Sequence, residues 1–440
     1  MLKSLYVIFK NYHVGLEMIK SNTKHTKIYI VALCSLVYFV SYFSRKSFAA
    51  VMAGMLELGV VDKFTSSFIG MGLFICYGLG QIICGFLGDK IKPSYLITFG
   101  LVTTALCNLL MPLMPNGYVM IPVWAVNGLA QAMLWPPIVR ILADNLNSTE
   151  YVRANLVVTI AAHVSTIILY LYVPMCLNYF EWDTVFFTAT ALSLFAMLCL
   201  IVSLLLILPN DVIRDPQSKI SAPKKELPGG YFKVLRSIGI ITIFASIIMA
   251  GFLRDGIESW LPTLYAEAFE READESILVS VSLPIFSIIS LFAVTVLHKT
   301  RFFKNEALGA MILFFSTIVF TTPIVFLINS THIVARIICL VLACTVCACM
   351  HGVNFLFISC LSGRFSRYGK SATTSGLCNT FIYVGAALSM YGMAAISEKF
   401  SWRITVISWI LVAALGVIFT LISLKSYTRF IKENEDENCN

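Results

Sequence analysis

The stretch IYIVALCSLVYFVSYFSRKSFAAVM, residues 28–52, is apolar enough to cross a bilayer, yet it contains Arg45 and Lys46. A span of hydrocarbon takes about 20 consecutive apolar residues in a helix. A guanidinium at its centre costs about 2.5–3.5 kcal/mol on insertion scales, so it faces a polar interior and has a partner there. The same anomaly recurs at residues 238–262, IGIITIFASIIMAGFLRDGIESWLP, with Arg254 as the buried charge. Two arginines at matching places in the two halves of the chain point to an anion held between the halves.

Apolar runs of spanning length recur on both sides of these two. Twelve are expected, near 28–50, 66–86, 95–114, 118–140, 153–177, 184–208, 237–261, 276–297, 306–328, 332–361, 373–396 and 403–425. With 58% hydrophobic and 13% charged residues in 440, the chain is not a soluble globule. Only helices or closed barrels satisfy the backbone in lipid, and no short alternating strands of a barrel occur, so an all-α membrane protein is predicted. The polar stretch PNDVIRDPQSKISAPKKELPGGYFKVLR, rich in Pro, Gly and basic residues, separates six spans from six. The expected division is an N-terminal segment 1–26, a first six-helix half 27–208, a linker 209–236, a second half 237–426 and a tail 427–440. Two six-helix halves around a midplane site form the major facilitator architecture of secondary transporters, and that fold is predicted.

The formal charge of +8 has a topological origin. Lys90, Lys92, Arg140, Arg153, the linker lysines, Arg364, Arg367 and Lys370 fall on the side of the two termini. Lys63, Arg271, Lys399 and Arg403 fall on the other. This bias places both termini in the cytoplasm and argues against a nucleic-acid-binding face. A multi-pass protein of a bacterial plasma membrane is expected. The segment before residue 27 is interrupted by lysines and lacks the apolar core of a cleaved signal. Leu2, Leu5, Phe9, Leu16 and Ile19 fit either an amphipathic surface segment or a disordered tail.

Several chemistries are set aside. Gly363-Arg-Phe-Ser-Arg-Tyr-Gly369-Lys370-Ser371 has five residues between its glycines, where a phosphate-binding loop needs four, and it follows a membrane helix. No ATP use, no catalytic residue, no enzyme activity and no cofactor are expected. Cys344, Cys347, Cys349 and His351 have metal-like spacing but lie in one apolar helix without sharing a face, so they read as packing and no metal is expected. The expected partners are a small anionic solute and the lipid bilayer, with the chain a monomer.

Two groups of residues carry the candidate chemistry. Tyr38, Tyr42 and Arg45 fall close to one helical face, where phenol hydroxyls beside a guanidinium suit the oxygens of an anion. Lys46 lies about 100° round the helix, so it makes a different contact or pairs with an acid. Glu258, four residues after Arg254, allows an intrahelical pair with it. Asp255 points elsewhere and is expected to answer Lys46 across the halves. Between spans 2 and 3, Gly85-Phe-Leu-Gly88-Asp89-Lys90 suggests a latch in which Asp89 pairs with Arg140. The corresponding loop His298–Lys304 has no Gly-Asp pair, so a weaker latch is expected there.

These residues resemble the organophosphate:phosphate antiporter family of the major facilitator superfamily. The resemblance rests on Tyr42-Phe-Ser-Arg45-Lys46-Ser-Phe48, on Tyr77-Gly78 leading to Gly85-Phe-Leu-Gly88-Asp89, and on Asn127-Gly-Leu-Ala-Gln131-Ala-Met-Leu-Trp135-Pro136-Pro137. Ala162-His163 and Arg254-Asp-Gly256-Ile-Glu-Ser-Trp260-Leu-Pro262 extend it. It implies a phosphate-grasping pair at Arg45 and Arg254, a substrate-contacting histidine at His163, and Trp135 at the site. Well-known members carry a lysine in span 2 where this chain has Gln81. The resemblance implies exchange of an organic phosphate for phosphate. The missing lysine leaves open an ion-coupled transporter of a carboxylated or other organic anion, and a transporter-like sensor stands as a third reading.

Overall fold

The computed structural model describes residues 24–87, 91–207, 231–298, 300, 302–365 and 370–436. These residues are helical, with no strand among them. The helices are α1 (Lys24–Glu57), α2 (Lys63–Leu87), α3 (Pro93–Leu110), α4 (Gly117–Ala132), α5 (Trp135–Asn145), α6 (Ser148–Tyr179) and α7 (Thr184–Val202), then α8 (Tyr231–Ser237), α9 (Ile240–Ala268), α10 (Ala273–Val279), α11 (Ser282–Leu297), α12 (Glu306–Leu327), α13 (Ile333–Asn354), α14 (Leu361–Arg364), α15 (Ser371–Lys399) and α16 (Trp402–Asp436). Twelve candidate membrane spans result. Leu171, Phe195, Phe326 and Leu411, each more than half exposed, lie on the outer face, as lipid contact requires.

Three spans expected as continuous helices are interrupted. Trp135-Pro136-Pro137 splits the fourth into α4 and α5, because prolines lack the N–H that an interior helical position donates. The eighth divides at Ser280–Val281, with Pro284 in the first turn of α11, where its missing N–H goes unneeded. The tenth loosens into a π-helical stretch, Phe355–Cys360, before α14. Elsewhere the sequence caps its helices directly. Asn147 and Glu150 form a reciprocal capping box at the start of α6.

The first six spans pack mainly among themselves, with α1 on α6 and α7 and α2 on α4. The last six do likewise, with α9 on α15 and α16, and α12 on α13 and α16. The two sets meet along α2 and α15, α6 with α10 and α11, and α1 with α9. Their meeting is tight at one end of the bundle, opposite the start of α1. There Lys63 Nζ lies 2.5 Å from Glu267 and 3.7 Å from Glu398. Trp402 Nε1 donates to Glu267 at 2.8 Å, Ala273 N to Glu57 at 3.1 Å, and Asn178 to Asp274 at 3.0 Å.

The expected latch partner Asp89 lies outside the described residues. Arg140, half-buried at the end of α5, has Asp144 at 3.8 Å and donates to the Ile91 oxygen at 3.5 Å. In the second half an ion pair stands beside the loop expected to latch weakly. Glu306, fully buried at the start of α12, accepts from Arg364 Nε and Nη2 at 2.8 and 2.9 Å and from the Tyr427 hydroxyl at 3.1 Å. The carboxylate comes from the helix after the loop, so the loop itself needs no Gly-Asp pair.

Candidate functional site

Midway along α1 and α9, where the two halves face each other, the buried charges converge. Arg45, Lys46, Arg254 and Asp255 are each less than a tenth exposed. They stay buried because each carries a polar or aromatic neighbour, as a charge held away from water requires. A small cavity between the halves is lined by Arg45, Lys46, Trp124, Asp255, Ser259 and Tyr383.

The pairing differs from the expectation. Arg254 turns back onto its neighbour, with Nε and Nη2 at 3.1 and 2.7 Å from Asp255 Oδ2. Glu258, whose spacing allows a pair with Arg254, instead reaches across to Lys46, Oε2 to Nζ 2.7 Å. Asp255 therefore does not answer Lys46, and Glu258 does. Arginine is long enough to fold onto the adjacent carboxylate, while the extra methylene of glutamate reaches the other half. The bridge between Lys46 and Glu258 joins α1 to α9, and the Tyr170 hydroxyl of α6 donates to the Glu258 main-chain oxygen at 3.2 Å.

Arg45 takes part in no ion pair among the described residues. Its guanidinium lies 4.3 Å from the centroid of the Tyr42 ring and 5.0 Å from that of Tyr77. Ring faces stabilise a cation but do not cancel its charge. The cluster of Arg45, Lys46, Arg254, Asp255 and Glu258 thus has one cation in excess, and that cation borders the cavity.

An aromatic shelf continues from Arg45. Tyr42 stands edge-on to Tyr38 at 4.9 Å between centroids, and Tyr38 packs on Trp135 at 4.6 Å. His163 of α6 lies 6.4 Å from Tyr42 and 5.8 Å from His351 of α13. The structure thus gathers Arg45, Arg254, Lys46, Tyr38, Tyr42, His163, Trp135, Asp255 and Glu258 into one region. Arg140 lies apart from it, at the end of α5.

Residues not singled out as site members in the sequence also belong here. The rings of Tyr77 and Tyr383, one from each half, pack at a tilt with centroids 4.3 Å apart, and Tyr383 lines the cavity beside Arg45. His351 Nε2 lies 2.7 Å from Glu258 Oε1. A tyrosine in an apolar span carries no signal of its own, so Tyr383 was not legible. His351 was visible only as part of a cysteine-rich run. Two members of this run do meet at the site. Cys347 and His351, one turn apart, bring their ligand atoms within 4.8 Å of a Glu258 oxygen. The donor set suits a zinc-like ion, but Lys46 already holds the carboxylate, and three cations at the cluster repel a fourth. The site as charged suits an anion.

Gln81, where a lysine was looked for, is buried and neutral. Its side chain donates to the Ala132 oxygen and accepts from Asn379 of α15, both at 3.4 Å. It serves as a polar contact between α2 and α15 and adds no charge to the site.

Comparison with known proteins identifies the family and the fold. A model of the Major Facilitator Superfamily matches residues 34–389. A probable hexose phosphate transport protein of Chlamydia trachomatis is 26% identical over 211 residues, 48% of this chain and 44% of that protein. The chain therefore spans less than half the length of that relative. A glycerol-3-phosphate transporter of Bacillus subtilis is 25% identical over 406 residues, covering 86% of this chain and 88% of that one. Among solved structures, a bacterial homologue of the human lysosomal transporter Spinster, inward-facing and unoccupied, superposes with a TM-score of 0.73. It is 13% identical, with 92% of this chain and 98% of that one covered, a likeness of fold alone.

Proposed function

Because the chain belongs to the major facilitator superfamily, we propose that it is a membrane transporter that moves a small organic phosphate, or phosphate itself, by alternating access, exchanging one anion for another. The observation that carries the reading is the excess cation. Arg45 lies buried at the cavity with aromatic neighbours and no carboxylate, so an entering anion completes a balance the protein leaves open. The organophosphate transporters among its relatives support the same class of solute.

Guanidinium groups bind phosphate oxygens in pairs, with a planar fork that lysine cannot copy. In this reading Arg45 from the first half and Arg254 from the second grip one anion and draw the halves together. His163, Tyr38 and Tyr42 supply further hydrogen bonds, and Trp135 supports the shelf behind Tyr38. A substrate that binds the closed form more strongly than either open form shifts the population through it. With the termini on the cytoplasmic side, the end closed by Lys63 faces outward.

The test is exchange in proteoliposomes loaded with phosphate. Arg45→Lys and Arg254→Lys should each lower phosphate exchange by at least about tenfold, the effect of losing one charged hydrogen bond worth ~1.5–3 kcal/mol. Undiminished exchange in both variants ends the clamp reading. A second reading, ion-coupled uptake of a carboxylated or other organic anion of lower charge, is favoured by the neutral Gln81. Uptake driven by a proton or sodium gradient without internal phosphate selects it.

A further inference from the structure

Glu258 follows Arg254 by four residues on α9, a spacing at which the two share a helical face and pair readily. The structure holds it elsewhere. His351 Nε2 meets its Oε1 at 2.7 Å, Lys46 Nζ meets its Oε2 at 2.7 Å, and the Cys347 thiol lies 3.8 Å from Oε1. Asp255 Oδ2 meanwhile occupies the Nε and Nη2 edge of Arg254. The guanidinium has five N–H donors, so the edge bearing Nη1 remains for another acceptor. A second carboxylate on that edge would leave Arg254 nothing to offer an anion.

Resting on the phosphate-site reading above, we propose that His351 is a positioning residue that keeps Glu258 off Arg254. By donating to Oε1 it holds the carboxylate as the counter-ion of Lys46, across the halves, and leaves one edge of Arg254 open for substrate. Glu258 and phosphate are alternative acceptors for the same donors, so freeing Glu258 makes it a built-in competitor. His351 acts through Glu258 and needs no contact with substrate.

The experiment measures phosphate exchange and melting temperature for four variants in the full chain. His351→Ala should raise the KM for phosphate about tenfold, with the maximal exchange rate within about twofold of the parent, as expected when a competing ligand removes binding energy. His351→Gln, whose amide can donate to Oε1, should restore KM to within about twofold. In a Glu258→Gln background, His351→Ala should change neither KM nor melting temperature further, because the competing carboxylate is gone. An unchanged KM in His351→Ala, an equal rise in His351→Gln, or effects that simply add in the double variant would each overturn the proposal. If the parent chain exchanges no phosphate, the transport reading fails by itself. The melting-temperature cycle still decides whether His351 acts through Glu258.

Discussion

At the scale of single residues, charge was legible and partnership was not. Arg45 and Arg254 stood out because a guanidinium in an apolar run is costly wherever the chain places it. Their partners depend on how far side chains reach across a gap that no sequence spacing records. Arg254 settled on Asp255, and Glu258 on Lys46 and His351. Glu306 is a similar case, since its partners Arg364 and Tyr427 come from distant segments. Replacing Glu306 by Ala strips Arg364 of its carboxylate and should destabilise the protein by about 2–4 kcal/mol, less than a fully enclosed pair would lose because Arg364 keeps some contact with water. A thermal unfolding series in detergent checks this. A melting temperature equal to that of the parent would show that the pair contributes nothing to stability.

At the scale of elements, the apolar runs predicted the spans, and the structure shows prolines and capping residues setting several of their ends. The breaks in the fourth, eighth and tenth spans lay hidden inside continuous apolar sequence. Glycine is informative where two helices cross. On Gly251 of α9 a Cβ would lie 2.0 Å from the Ile382 oxygen, and on Gly385 of α15 it would lie 2.0 Å from the Ile248 oxygen. Main-chain oxygens cannot move aside as a flexible side chain can. Gly251→Ala should therefore push α9 from α15, at a cost of about 1–3 kcal/mol or more. It should lower both melting temperature and exchange, since α9 carries Arg254. A variant with parental stability and exchange would show that this crossing yields easily.

For the whole molecule, the question is which end of the bundle is closed. Lys63, Glu57 and Asn178 of the first half meet Glu267, Glu398, Ala273 and Asp274 of the second at the end opposite the start of α1. Lys63 is also within 5.1 Å of the Trp402 ring centroid. A conformational balance of this kind moves by whatever contact energy one state has and the other lacks. Lys63→Ala removes three such contacts and should shift the population towards the form open at that end. Spin labels at positions 58 and 272 should then report longer distances without substrate. A distance distribution unchanged from the parent would take Lys63 out of the closure.

Amino-acid order by itself determined the class of this protein. Long apolar runs must be helices in lipid, their number and the polar stretch between them imply two sets of six, and two arginines in apolar runs raise the expectation of an anion. These follow from transfer free energy and hydrogen bonding, which act residue by residue along the chain. Tertiary structure alone decided who neutralises whom. It left Arg45 without a carboxylate, gave Lys46 to Glu258, and set His351 between that carboxylate and His163. The reason is physical. An ion pair in a medium of low dielectric depends on distances of a few ångströms between separate helices, and those distances exist only once the helices have packed.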